Sequence, residues 1–150
     1  MKSEKLDKNA AQLAHLTFNL LTTCQHKETL FAQQYGLTQS EFRCLKLFDK
    51  NEIINNKSIA ERMSLSASRL TRIIDGLVAK GYMEREINPS DRRNMNVCLS
   101  KKGQQLVQKL DNAYVNIHKA LLNHIEEPDH KPLIGAMTNL LSAMEKWLAK

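Results

Sequence analysis

The chain has 150 residues, enough for one domain with a real core and hardly for two. Its apolar content of 42% is that of an ordinary globular protein, and no apolar run is long enough to span a bilayer, so neither a disordered chain nor a membrane protein is expected. The net charge is +6, but residues 57–102 hold ten Lys and Arg against five Asp and Glu, while the remainder holds twelve against eleven. A basic excess confined to one segment is the electrostatic footprint of phosphate binding.

The first residues, Met1-Lys2-Ser3-Glu4-Lys5, are charged and no apolar block follows them. A secretory signal is therefore not expected, and the chain reads as cytoplasmic. The three cysteines, Cys24, Cys44 and Cys98, are odd in number and widely spaced. They read as reduced thiols serving as small apolar core residues, with Cys24 the best redox candidate.

Residues 8–33 lack Gly and Pro and carry Leu13, Leu16, Leu20, Leu21, Cys24, Leu30 and Phe31 at helical spacing, on more than one stripe. A helix apolar around so much of its girth needs more than one neighbour. Gly36 ends it. Thr38-Gln39-Ser40-Glu41 is a capping-box pattern opening a second helix, with Phe42, Leu45, Leu47 and Phe48 on its core face. A polar loop around Ile53 and Ile54, with a very short strand there, precedes a further capping-box pattern, Ser58-Ile59-Ala60-Glu61. That pattern opens a short helix with Ile59, Ala60 and Met63 facing inward.

Ser64-Leu65-Ser66 is a three-residue turn, and the helix after it, residues 66–80, is the centre of the chain. Leu70, Ile73, Ile74, Leu77 and Val78 fall on one stripe. Ser66 is placed to cap its start and Gly81 to close its end in the left-handed conformation. The opposite face carries Ser68, Arg69, Thr71, Arg72 and Asp75. Short hydrogen-bonding side chains and two guanidinium groups near a helix N-terminus suit the DNA major groove. Two short helices, a tight turn and this amphipathic second helix make a helix-turn-helix.

After Gly81 the period shifts toward two. Residues 82–87 and 95–99 read as strands, joined by a long polar tip, Asn88-Pro89-Ser90-Asp91-Arg92-Arg93-Asn94. A hairpin directly after a helix-turn-helix is a wing. Ser100 can cap a long helix from 101 to about 125, with Leu106, Leu110, Ala113, Ile117, Ala120 and Leu121 on its stripe. A break with two prolines follows, then a last helix from about 129 or 132 to 148. Its apolar side holds Leu133, Ala136, Met137, Leu140, Leu141, Met144 and Trp147. The fold class is mainly α: about six helices plus a β-hairpin wing. Residues 36–103 are the winged helix-turn-helix, and residues 1–35 and 104–150 are helical arms. The arms are too apolar to stand unpaired in water, which predicts a two-fold homodimer.

The arrangement resembles the MarR family of winged-helix regulators along nearly the whole chain. The similarity rests on Leu37-Thr38 with Phe42 and Leu45, on Ser58-Ile59-Ala60-Glu61-Arg62-Met63, and on Leu65-Ser66 through Leu77-Val78-Ala79-Lys80-Gly81-Tyr82. It continues through Asp91-Arg92-Arg93 and Leu99-Ser100-Lys101-Lys102-Gly103. The resemblance implies a dimeric, usually repressing, transcription factor that binds double-stranded DNA and is often released by a small aromatic or other small molecule, or by an oxidant. It places Ala67, Ser68, Arg69, Thr71 and Arg72 in the major groove and Arg93 in the minor groove, with Asp91 orienting Arg93. A narrow minor groove has the enhanced negative potential that draws in such a guanidinium. Arg92, Lys101 and Lys102 read as electrostatic support, since a lysine in a helix's first turn opposes the dipole and suits an external anion. An effector would bind between the small domain and the arms, where Leu16, Leu20, Phe42, Leu45 and Ile117 are candidate walls or plain core.

No cofactor, metal or catalytic site is expected. Cys24, His26 and Glu28 are close in sequence but do not share a helix face, and neither do His118 and His124. No nucleophile–base pair or glycine-rich phosphate loop is present, so the chain does not read as an enzyme. The rival from another class is a winged-helix module for protein interaction, which the basic wing and the Arg69/Arg72 pair disfavour.

Overall fold

The computed structural model describes residues 1–150, except the side chains of Asn88, Arg92 and Arg93. The elements in order are α1 (Lys2–Gln33), α2 (Gln39–Leu45), β1 (Ile53–Asn55), α3 (Asn56–Met63), α4 (Ala67–Ala79), β2 (Met83–Asn88), β3 (Asp91–Leu99), α5 (Lys101–Leu122), a 3₁₀ turn (Glu127–Asp129) and α6 (His130–Leu148). They form two compact units, residues 1–108 and 109–150. The mainly helical winged architecture expected from the sequence is present, with a third strand completing a small antiparallel sheet.

In the first unit α1 starts at residue 2, earlier than its apolar periodicity suggested, and buries only Glu28, Phe31 and Ala32 near its end. Phe31 meets the Phe42 ring edge-on at 5.3 Å, and Gly36, at φ +69°, turns the chain into α2. The Thr38 capping box forms: Glu41 N–H donates to Thr38 Oγ1 at 3.1 Å and Thr38 N–H donates to Glu41 Oε1 at 2.9 Å. Glu28 ties α1 to α2 by accepting from Arg43 Nε (2.7 Å), Arg43 Nη2 (2.8 Å) and Gln39 Nε2 (2.9 Å). Burial pushes the Glu28 carboxyl up, but these hydrogen bonds and the Arg43 and Lys27 charges outweigh it and hold it below the ordinary glutamate value.

The start of α3 differs from the sequence reading. Ser58 lies inside the helix, and the cap is Asn55, whose side chain accepts from Lys57 N at 2.9 Å. Asn55 also donates through Nδ2 to Asn94 Oδ1, so one side chain starts the helix and joins it to the wing. Ser64, in the left-handed region at φ 53°, makes the turn toward α4.

The sheet order is β1-β3-β2, both pairs antiparallel. Met95, Val97 and Leu99 alternate inward beside Met83 and Ile54, closing the core formed by Phe31, Phe42, Leu45, Ile59, Leu70, Ile74 and Leu77. The tip is tighter than a seven-residue loop. Pairing runs on to Asn88 opposite Asp91, leaving Pro89 and Ser90 as the connection, with a register shift between Ile87 and Asn88.

Ser100 accepts from Gly103 N at 3.0 Å and so caps α5 as expected. In the second unit His130 closes the turn between α5 and α6, its Nε2–H directed at the Leu122 and Ile125 carbonyls at 2.9 and 2.8 Å. No residue of α6 is buried, and Ile134, Leu141 and Trp147 are 57%, 59% and 70% exposed. In the first unit, Leu16 and Phe18 of α1 are 63% and 73% exposed.

Candidate nucleic-acid interface

The site is built on α4. Ser66 Oγ accepts from Arg69 N at 3.3 Å, which satisfies one free donor of the first turn. Leu70, Ile74 and Leu77 are fully buried, and this fixes which face looks outward. Ala67, Ser68, Arg69, Thr71 and Arg72 are all exposed on that outward face. Thr71 Oγ1 donates back to Ala67 O at 2.9 Å, leaving its lone pairs to accept, while Ser68 Oγ lies 3.3 Å from Ser66 Oγ. Among the described residues neither the Arg69 nor the Arg72 guanidinium has a side-chain partner. Two fully charged forks are thus held in solvent at the start of a capped helix, five donors each.

Asp75, two turns further along, is engaged: Arg85 of β2 donates to its carboxylate and ties α4 to the wing. Between α3, α4 and the sheet lies a cleft of about 720 Å³ whose walls include Asn56, Lys57, Ser68, Thr71, Arg85 and Ile87. Asn56 and Lys57 join this surface from α3 and were missed by sequence reasoning. The sequence carried no signal for them, because the pattern at Ser58 placed both before the helix, whereas α3 begins at Asn56.

Asp91 is exposed where β3 begins. The side chains of Arg92 and Arg93, and with them the expected Asp91–Arg93 partnership, lie outside the described residues. Lys101 is exposed on the first turn of α5. Lys102 has a structural duty instead of a purely electrostatic one. Its Nζ donates to Lys80 O at 3.1 Å and stands 4.9 Å from the centroid of the Tyr82 ring.

The profile of the MarR family matches residues 37–95, the stretch from the lead-in of α2 to the middle of β3. This stretch of the chain is similar to the MarR family. A similar relative is the helix-turn-helix transcriptional regulator SarZ of Staphylococcus aureus, 26% identical over 116 residues that cover 77% of each chain. Among solved structures, wild-type MarR of E. coli in its apo form has TM-score 0.76 at 22% identity, covering 86% of this chain and 96% of that one. FabT of Streptococcus pneumoniae, solved in complex with DNA, has TM-score 0.71 at 16% identity over 91% and 97%. These likenesses show a winged-helix fold shared with the solved MarR structures and a MarR-like segment at residues 37–95.

Of the expected effector-pocket walls, Phe42 and Leu45 are core residues of the first unit, while Leu16 and Leu20 are exposed and Ile117 belongs to the second unit. Among the cysteines only Cys44 is the fully buried core residue expected of all three; Cys24 and Cys98 are half-buried. Burial, followed by the nearby Glu41, pushes the Cys44 thiol up to about 12. Burial, with Glu84 and Glu86, also raises the thiol of Cys98.

Proposed function

We propose that this protein is a MarR-type transcriptional regulator, a homodimeric repressor that reads a pseudo-palindromic duplex through α4, with half-sites about one helical turn apart. The observation that carries the reading is that Arg69 and Arg72, without a side-chain partner among the described residues, stand on the outward face of a capped helix whose opposite stripe is buried. Ala67, Ser68 and Thr71 lie beside them and are short enough to let the backbone approach base edges. Arg93 enters the minor groove with Asp91 orienting it, an assignment that rests on the family resemblance. Arg92, Lys101 and Lys57 supply phosphate contacts. The structure solved for FabT with DNA supports the reading by shared fold. The proposal includes release by a small-molecule effector, with a coupling of about 1–3 kcal/mol typical of such switches.

The experiment is selection of a duplex from a random-sequence pool, then titration of the selected and a mixed-sequence duplex at two salt concentrations. Arg69→Ala is expected to flatten preference at one or two base positions, since a bidentate arginine–guanine contact discriminates by about 1–3 kcal/mol. Unchanged base preference would remove Arg69 from the reading surface. A protein that selects no duplex would leave the protein-interaction module in its place.

The second copy is the proposed cover for the exposed apolar side chains. Soluble monomers rarely show large contiguous apolar patches, and the 17.2 kDa chain carries Leu16, Phe18, Ile134, Leu141 and Trp147 in the open. Equilibrium sedimentation at micromolar concentration is expected to give twice the chain mass. A single-chain mass under those conditions would refute the dimer.

A further inference from the structure

On the outward face of α4 the Arg69 and Arg72 side chains have no side-chain partner among the described residues, so their pose against a duplex depends on how the helix itself is held. Part of that control is the apolar stripe, whose packing is non-directional and leaves rocking about the stripe open. Directional contacts come from Arg85 on Asp75 and, more densely, from the far end of the helix. Glu41, only 4% exposed, accepts at Oε1 both from Thr38 N at 2.9 Å and from Lys80 Nζ at 2.7 Å. Lys80 Nζ also donates to Gly36 O at 2.9 Å, and the Lys80 carbonyl accepts from Lys102 Nζ of α5 at 3.1 Å. Gly76 makes the close approach possible: a Cβ there would stand 2.9 Å from Glu41 Oε2. Lys80 therefore joins three elements, its side chain reaching the first turn of α2 and its carbonyl the first turn of α5.

We infer that Lys80, held by the buried Glu41 carboxylate and admitted by Gly76, is a positioning residue that fixes the tilt of α4 on DNA. The inference rests on the DNA-binding reading above. A charge-assisted hydrogen bond fixes direction as well as distance. A helix of thirteen residues is about 20 Å long, so a small rotation at Lys80 becomes a displacement at Ala67 and Arg69. Base edges tolerate little displacement, whereas phosphate attraction is forgiving of it. The device therefore controls discrimination more than bare affinity.

The test uses the full-length protein, the duplex it selects from a random pool, and a mixed-sequence duplex of equal length. Lys80→Met removes the donor. Gly76→Ala displaces the carboxylate while giving α4 a better helix former, so its effect is not that of a melted helix. In both variants the preference for the selected duplex is expected to fall roughly tenfold, about the loss of one base contact. Mixed-duplex affinity and its salt dependence should stay unchanged. A preference retained by both variants overturns the inference. So does a salt slope reduced by about one in Lys80→Met, because Lys80 would then be a phosphate contact. An unmodified protein that selects no duplex overturns the DNA reading, and this inference with it.

Discussion

Alanine at position 103 is expected to cost about 3 kcal/mol of stability, net of the roughly 1 kcal/mol by which alanine exceeds glycine as a helix former. Gly103 is buried in the first turn of α5, and a Cβ there would overlap the carbonyl oxygen of Tyr82 and lie 2.9 Å from its carbonyl carbon. The obstacle is backbone, which cannot swing aside as a side-chain tip would. That same carbonyl accepts from Ser100 N at 3.0 Å, and Ser100 Oγ donates to Gly81 O. Moving Tyr82 to make room therefore strains the junction of α4, β2 and α5 together. Urea unfolding of Gly103→Ala should show a lower midpoint with an unchanged slope. A midpoint equal to that of the unmodified protein would mean that α5 does not pass so close to Tyr82.

Phe31→Ala is expected to be more damaging, at about 3–5 kcal/mol. Phe31 is 2% exposed and its ring lies 5.3 Å from both Phe42 and Tyr35, the Phe42 contact edge-on. Besides losing buried area, the variant loses aromatic contacts worth about 0.5–1.5 kcal/mol each beyond area. The cavity would open where α1 meets α2, and polar bonds to Glu28 cannot refill it. Thermal unfolding followed by circular dichroism is the measurement. A loss under about 1 kcal/mol would show that neighbouring side chains collapse into the space.

Local signals made much of this fold legible. The period of Leu70, Ile74 and Leu77, the Ser66 cap and Gly81 at φ +81° all lie within or beside one helix, and α4 is where the sequence places it. Thr38 and Glu41 cap α2 by the same logic. The failures involve partners distant in sequence. Ser58-Ile59-Ala60-Glu61 has a capping pattern, yet α3 begins earlier because Asn55, anchored to Asn94 across the sheet, takes the cap. The wing strands run further than composition suggests because turn-forming residues near Asn88 and Asp91 still pair. Leu16 and Leu20 have core chemistry but stand exposed, since their helix runs past the small core that buries Phe31. The outward residues of α4 were legible for the same reason as its stripe. Lys57 and Lys80 were not, because a lysine's role depends on what faces it.

The sulfur of Cys44 gives this protein a gauge of its own opening. With no exposed surface and a thiol held near 12, it offers almost no nucleophile to an alkylating reagent at neutral pH while α2 stays seated. It becomes reactive only when that helix lifts, so the rate at which this one atom acquires a label measures how often the first unit breathes. Peptide mapping separates its signal from those of Cys24 and Cys98, and no foreign probe need be introduced.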